Sequence, residues 1–301
     1  MEKIKQQLEE QQIGKVKLNE PLKKHTTIKI GGPADLFIEP DSIENLKKTL
    51  QIVKDHGLSV RIIGRGSNLL IPDEGIRGAV VKLGPGLDHL EEDGNTIQVG
   101  AGYPMIKLAM IMSRKGLGGL EFAGGIPGSV GGAVYMNAGA HGSDISEILV
   151  KAHILFEDGT MEWLTKDEMK FSYRTSVLQN ERKGYCLEAV FELNPGSKEE
   201  IVAEIQKFKD YRRETQPWSH PCAGSIFRNP LPEYAGKLVE EVGLKGHKIG
   251  DAQISELHAN FIVNTADASY EDVMALIQHV KDTIWKEKQI KIETEVEIVS
   301  N

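Results

Sequence analysis

Two glycine-rich loops, Gly64-Arg65-Gly66-Ser67-Asn68-Leu69 and Gly124-Gly125-Ile126-Pro127-Gly128-Ser129-Val130-Gly131-Gly132, concentrate groups able to grip an anion. Glycine reaches positive φ and lets the backbone approach a ligand closely. Successive N–H groups in such turns form anion-binding hollows. With the hydroxyl of Ser67 or Ser129 and the Asn68 amide added, each loop fits a pyrophosphate. The first loop lacks the third glycine of a GxGxxG fingerprint and leads to no evident helix, so a Rossmann reading is weak. Two loops from separate segments suggest one long ligand with a diphosphate near its middle, such as FAD.

Of the 31 glycines, ten lie between Gly116 and Gly142, where Leu120, Phe122, Ile126, Val130, Val134, Tyr135 and Met136 are interleaved with them. A flexible linker would not carry these packing residues. Ligand contact and tight packing of loops against a sheet both account for the glycines.

Other residues that could do chemistry are fewer. Arg174 stands in SYRTS, Ser225, Arg228 and Asn229 in AGSIFRNP, and Glu293, Glu295 and Glu297 near the C-terminus. From the residues alone Arg174 reads as a surface arginine and Ser225 as a turn serine. The three glutamates alternate with Ile290, Ile292, Val296 and Ile298, so they read as the solvated face of a strand, and nothing in the spacing selects Glu295. Arg212, Arg213, Lys237, Lys245 and Lys248 are candidate diphosphate partners, although charged helix faces are usually only solvated. No two of the nine histidines stand four apart as helical metal ligands do, so no metal is expected.

Composition bounds the partners. The 301 residues carry a formal charge of −8, with no global field to attract nucleic acid or anionic lipid. Cys186 and Cys222 form no CxxC or paired framework, which suggests a reducing compartment. The opening MEKIKQQLEEQQIG lacks the apolar stretch of a signal peptide. No apolar run approaches the roughly 18 residues of a membrane span. A cytoplasmic protein that meets neither nucleic acid nor membrane is expected.

The elements needed to position these residues are legible as periodicity. ADLFIEP, VRIIG and AVVKL read as strands, with a helix over SIENLKKTLQIVKDH opened by an Asp41–Glu44 capping box and closed by Gly57. TIQVG, ILVKAHILF and CLEAVFEL follow, with a helix from Pro104 to Gly116 and a hairpin turn at Asp158–Gly159. An amphipathic helix is predicted over roughly 198–212, then a boundary in the proline-rich ETQPWSHPCAGS. Beyond it come a helix after Pro232, the strand HANFIVN, a long helix opened by Ser269 and Asp272, and a last strand, IKIETEVEIV.

The motifs HTTIKIGGPA, IIGRGSNLLIPD, GLGGLEFAGGIPGSVGGAVYMNAGAHG, SYRTSVL, AGSIFRNP, AGKLVEEVGLKG, HANFIVN and ETEV, in this order from about His25 to Val296, closely resemble the UDP-N-acetylenolpyruvoylglucosamine reductase family of peptidoglycan-synthesis flavoenzymes. The resemblance implies an α+β fold of the vanillyl-alcohol-oxidase type. Two α/β subdomains (1–83 and 84–213) would form an FAD-binding, PCMH-type module, and 214–301 an α+β substrate-binding domain. It implies that NADPH reduces a non-covalently held FAD, whose N5 hydride then passes to the enolpyruvyl group of UDP-N-acetylglucosamine enolpyruvate, giving UDP-N-acetylmuramate.

Site residues carry over motif by motif. In SYRTS the family's arginine falls on Arg174, which would grip the substrate carboxylate and stabilise developing charge. In AGSIFRNP the proton donor falls on Ser225, and in ETEV the active-site glutamate falls on Glu295. Tyr173, Arg228 and Asn229 are candidate substrate contacts. Cofactor contacts are expected at Thr26, Thr27, Gly64, Arg65, Gly66, Ser67, Asn68, Leu69, Gly124, Gly125, Pro127, Gly128, Ser129, Gly132, Asn137, Ala138 and Gly139.

Departures from the family pattern are Glu-Thr-Glu-Val-Glu where Glu-Pro-Glu-Val-Arg is usual, Asp251 where glycine is common, and a short stretch from Arg174 to Cys186 like that of the compact subgroup without a substrate-covering loop. Two rival readings are an alcohol or sugar oxidase of the same fold and a non-catalytic binding protein. The first has no use for GSIFRNP with ETEV, and the second should have lost at least one of Arg174, Ser225 and Glu295.

Overall fold

The computed structural model describes residues 1–300. The chain divides into two compact units, each assembled from three segments: 1–18, 36–65 and 79–211 in the first, and 19–35, 66–78 and 212–301 in the second.

The first unit contains two cores. One lies between helices Glu2–Glu10 and Ile43–Asp55 and a sheet whose order is Gly14–Pro21, Pro33–Pro40, Ile76–Lys82, Val60–Ile63. The last two strands are parallel, and the helix Ile43–Asp55 precedes Val60–Ile63 as the sequence pattern predicts. The helix start differs from expectation. Ser42 is its cap, accepting from the Asn45 N–H at 3.1 Å, while Asp41 accepts from the Asn45 side chain at 2.7 Å. A hydroxyl one position nearer the first turn competes successfully for the free N–H.

The second core of this unit packs helix Met105–Arg114 and the short helix Val130–Met136 against an antiparallel sheet. Its order is Met161–Thr165, Leu149–Phe156, Gly184–Glu192, Thr96–Gly100, Leu90–Asp93. The hairpin turn at Asp158–Gly159 forms as predicted, with Gly159 at φ +90° and the Asp158 carboxylate accepting from the Thr160 N–H at 2.8 Å. Helix Lys198–Thr215 follows and buries Ile201 and Ile205.

The second unit packs helices Ala235–Glu241 and Tyr270–Lys288 on an antiparallel sheet ordered Cys222–Ser225, Phe261–Asn264, Ala252–Ile254, Lys248–Ile249. Ser269 and Asp272 form the predicted capping box. The helix expected directly after Pro232 begins at Ala235, where Asn229 Oδ1 takes up the Ala235 N–H at 3.0 Å.

The terminal strand requires correction. Only Glu297–Ile298 is strand, parallel to Leu69–Leu70. Upstream of it, Arg228 N–H donates to the Glu293 carbonyl and Glu295 N–H to that of Ile226. Further on, Glu297 and Val299 donate to the carbonyls of Asn68 and Leu70. The alternation is real, with Ile292 and Val296 buried, but the segment passes from one neighbour to another and no single ladder spans it.

Candidate active site

In the first unit the beginning of one glycine loop meets the other. Gly64 leaves strand Val60–Ile63 beside Ser129, and a Cβ on Gly64 would lie 2.5 Å from Ser129 Oγ. Arg65 Nε donates to the Pro127 carbonyl at 3.3 Å. Ser129 also caps helix Val130–Met136, accepting from the Gly132 N–H at 3.4 Å. The second loop is anchored by Val130 N–H on the Tyr103 carbonyl and Met105 N–H on that of Gly128. Gly124 is buried against Ile205, where a Cβ would come within 2.8 Å of its methyl group, so that glycine answers to packing. The close apposition of Gly64 with Ser129 depends on glycine at 64 while the Ser129 hydroxyl stays on the Gly132 N–H, and small residues flanking a hydroxyl are the kind of lining that suits a diphosphate.

The same unit holds Arg174. It sits at φ +55°, a left-handed conformation rare for a side chain larger than glycine. The turn closes by paired bonds between Ser172 and Thr175. Arg174 Nη2 donates to the Gly139 carbonyl, and its guanidinium carbon lies 5.1 Å from the ring centre of the exposed Tyr173. Asn137, buried and left-handed at the end of helix Val130–Met136, donates to the Ser172 carbonyl and to Asp144, both at 3.1 Å, and accepts from the Ser146 N–H at 3.0 Å. Asn137, Gly139 and Arg174 are therefore one assembly, and Ala138 lies within it, its N–H on the Ala133 carbonyl.

The second unit assembles the remaining pieces. Gly66, at φ +64°, accepts from the Thr27 N–H at 3.1 Å, and a Cβ on it would lie 2.1 Å from the His25 carbonyl oxygen. Thr26 Oγ1 donates to the Ile30 carbonyl at 2.8 Å, and Thr27 Oγ1 to that of Cys222 at 2.7 Å. Thr27 thus ties its motif to the strand ending at Ser225. His25 sits against the Glu20 carboxylate at 3.1 Å, both side chains largely buried.

Ser225 and Glu295, 70 positions apart, are brought to neighbouring backbone positions: Glu295 N–H donates to the carbonyl of Ile226, the residue after Ser225, at 2.8 Å. Both side chains are half-buried. Asn68 Nδ2 donates to the Glu295 carbonyl at 3.0 Å. Ser67 and Leu69 flank Asn68, and a Cβ on Gly224 would lie 3.9 Å from the Ser67 carbonyl oxygen. Arg228 is bound through its N–H to Glu293, and Asn229 through Oδ1 to Ala235.

Of the basic candidates, Lys237, Lys245 and Lys248 pair with Glu241, Glu240 and Asp251 at 3.8, 3.1 and 3.4 Å, as solvated helix and turn residues do. Arg212 differs, since its Nε is buried with no partner among the described residues. Desolvation lowers its pKa and the nearby Cys222 raises it, the first effect being larger.

Two supporting residues escaped the sequence reading. Asn260 is buried, donating to the Phe227 carbonyl at 2.8 Å and accepting from the Phe227 N–H at 2.9 Å, so one amide replaces a strand beside the Ser225 segment. Gln179 donates to the Tyr135 and Arg174 carbonyls at 2.9 and 3.3 Å. HANFIVN signals only a buried strand, and nothing in SVLQ marks the glutamine.

The fold and the proteins it resembles define an FAD-binding oxidoreductase. Residues 34–165 match the FAD binding domain family, and residues 216–299 match the C-terminal domain of UDP-N-acetylenolpyruvoylglucosamine reductase. The chain is 62% identical over 299 residues to the UDP-N-acetylenolpyruvoylglucosamine reductases of Halalkalibacterium halodurans and of Bacillus subtilis, with 99% of both chains covered in each comparison. The crystal structure of UDP-N-acetylenolpyruvylglucosamine reductase from Thermus caldophilus superposes with a TM-score of 0.80 at 35% identity, over 95% of this chain and 98% of that one. An alkyldihydroxyacetonephosphate synthase shares the fold alone, with a TM-score of 0.50 at 16% identity over 65% of this chain and 40% of its own. The chain belongs to the UDP-N-acetylenolpyruvoylglucosamine reductase family. No helix among the described residues is long and apolar enough to cross a membrane.

Proposed function

We propose that this protein reduces UDP-N-acetylglucosamine enolpyruvate to UDP-N-acetylmuramate at the expense of NADPH, in the cytoplasmic synthesis of peptidoglycan precursor, with FAD held non-covalently. The observation that carries this reading is the backbone hydrogen bond from Glu295 to Ile226, which brings a serine-bearing and a glutamate-bearing segment side by side, as a proton donor and its helper require. An oxidase of the same fold needs neither group. When bound, FAD supplies a two-electron relay between NADPH and the enolpyruvyl double bond.

The chain's own residues supply the rest. The loops Gly64–Leu69 and Gly125–Gly132, with Gly139, would hold the cofactor, while Gly124, Thr26, Thr27, Asn137 and Ala138 fix the backbone around it through packing and hydrogen bonds to the chain. Arg174 holds the substrate carboxylate and stabilises the charge that develops on it once hydride has reached the terminal methylene carbon. Ser225 then gives its proton to the carbon next to the carboxylate, completing addition of hydride and proton across the double bond. Glu295 assists at the same centre, while Tyr173, Arg228 and Asn229 contact the substrate. We assign 1–83 and 84–213 to cofactor binding and 214–301 to substrate binding.

The test is anaerobic. The purified protein should be yellow, release FAD on denaturation, bleach with NADPH and regain colour on adding the enolpyruvyl sugar nucleotide. Bleaching by an alcohol or sugar without NADPH would favour the oxidase reading.

A further inference from the structure

We propose that Gln179 is a positioning residue for Arg174, coupling the end of the cofactor-loop helix to the turn that presents the guanidinium. This rests on the assignment of Arg174 to the substrate carboxylate.

The helix Val130–Met136 begins at the Ser129 loop and ends at Tyr135 and Met136. The Tyr135 carbonyl, in its last turn, accepts from Ser176 Oγ at 2.7 Å and from Gln179 Nε2 at 2.9 Å. The same Nε2 lies 3.3 Å from the Arg174 carbonyl oxygen and 3.7 Å from Met136 Sδ. The turn at Ser172–Thr175 is thereby pinned at three places: Asn137 on the Ser172 carbonyl, Gln179 on the Arg174 carbonyl, and the Gly139 carbonyl on the Arg174 guanidinium.

Such pinning has a physical reason. Arg174 is left-handed at φ +55°, a conformation that persists in a non-glycine residue only when its surroundings impose it. Without the donor on its carbonyl, the Arg174 peptide loses a restraint that acts on it directly, and the guanidinium is held less firmly. Gln179 touches only chain atoms in doing this, so its effect reaches the substrate through Arg174.

Gln179→Met keeps the shape and removes the donor, whereas Gln179→Lys restores one. In Gln179→Met, FAD content and the rate of flavin reduction by NADPH should stay within about twofold of wild type. Reoxidation by the enolpyruvyl substrate should slow, and its dissociation constant, read from flavin absorbance, should rise, each about tenfold. Gln179→Lys should recover to within about threefold. Adding Gln179→Met to Arg174→Ala should cost little more than Arg174→Ala alone.

A silent Gln179→Met, equal slowing of both half-reactions, losses that multiply in the double variant, or a lysine variant as slow as the methionine one would each overturn the proposal. A severe Arg174→Ala beside a silent Gln179→Met refutes the role of Gln179 only. A silent Arg174→Ala refutes the carboxylate assignment and this inference with it.

Discussion

Asn68 grips the backbone on both sides of Val296: its side-chain amide donates to the Glu295 carbonyl at 3.0 Å, and its own carbonyl accepts from the Glu297 N–H at 3.0 Å. A residue of the first glycine loop thus fixes the backbone of the proposed catalytic glutamate, 227 positions away. Removing that donor by Asn68→Ala should destabilise the second unit by about 1 kcal/mol, the usual net contribution of a hydrogen bond. Urea denaturation checks this, and stopped-flow reoxidation by the substrate should slow in parallel. An unchanged midpoint together with an unchanged rate would remove the link.

Ser225→Ala should leave flavin reduction by NADPH nearly intact while slowing reoxidation by the enolpyruvyl substrate by about 10²- to 10⁴-fold, because only the second half-reaction consumes the proton. Rapid-mixing absorbance separates the halves. Equal slowing of both would contradict the role of proton donor.

Arg174→Ala should cost about 2.7 to 4 kcal/mol in transition-state stabilisation, the scale for loss of an oxyanion donor. Substrate affinity should fall as well, since the carboxylate is present in the ground state too. Steady-state kcat and kcat/KM report both effects, and a change confined to KM would show that Arg174 only binds.

Gly64→Ala places a methyl 2.5 Å from Ser129 Oγ, so either the hydroxyl must leave the Gly132 N–H or the two loops must separate, and the yield of bound FAD should drop. The Ser129 Cβ lies at 3.6 Å, an ordinary contact, so removing the hydroxyl relieves the collision. The double variant Gly64→Ala/Ser129→Ala should therefore retain more FAD than Gly64→Ala alone. Flavin-to-protein absorbance ratios decide, and a double variant no better than the single would place the damage elsewhere.

Glu188, on the five-stranded sheet, accepts from Gln98 at 2.7 Å and is bracketed by His153 and His89 at 2.8 and 3.2 Å. Burial alone would raise its pKa, but these hydrogen bonds outweigh it and hold the carboxyl below its ordinary value. A folded-state pKa below the unfolded one contributes stability above the unfolded carboxyl pKa, about 4.3, and that contribution fades as pH falls through the folded value. Glu188→Gln should thus be less stable than wild type near pH 6, with the difference narrowing toward pH 3. Denaturation midpoints across that range would show it, and a constant difference would speak against the linkage.

The chemistry was legible in the sequence wherever it depends on local conformational freedom or on periodic burial. Gly66 at φ +64°, the Asp158–Gly159 hairpin and the Ser269–Asp272 capping box follow from neighbouring residues alone. Helix Lys198–Thr215 follows from apolar spacing, and the family from eight motifs in order.

The terminal segment marks the limit. Its alternation predicts a strand with three equivalent carboxylates, and only the packed chain breaks that equivalence by hanging Glu293 on Arg228, Glu295 on Ile226 and Asn68, and Glu297 on Asn68. Gln179 and Asn260 were invisible for the same reason: a side-chain amide acquires its role from whichever distant carbonyls the fold brings to it. Residue type and spacing determine which groups are available and which turns the backbone can make. Which of those groups meet is settled by hydrogen bonds between segments up to 236 positions apart, whose partners no local pattern encodes.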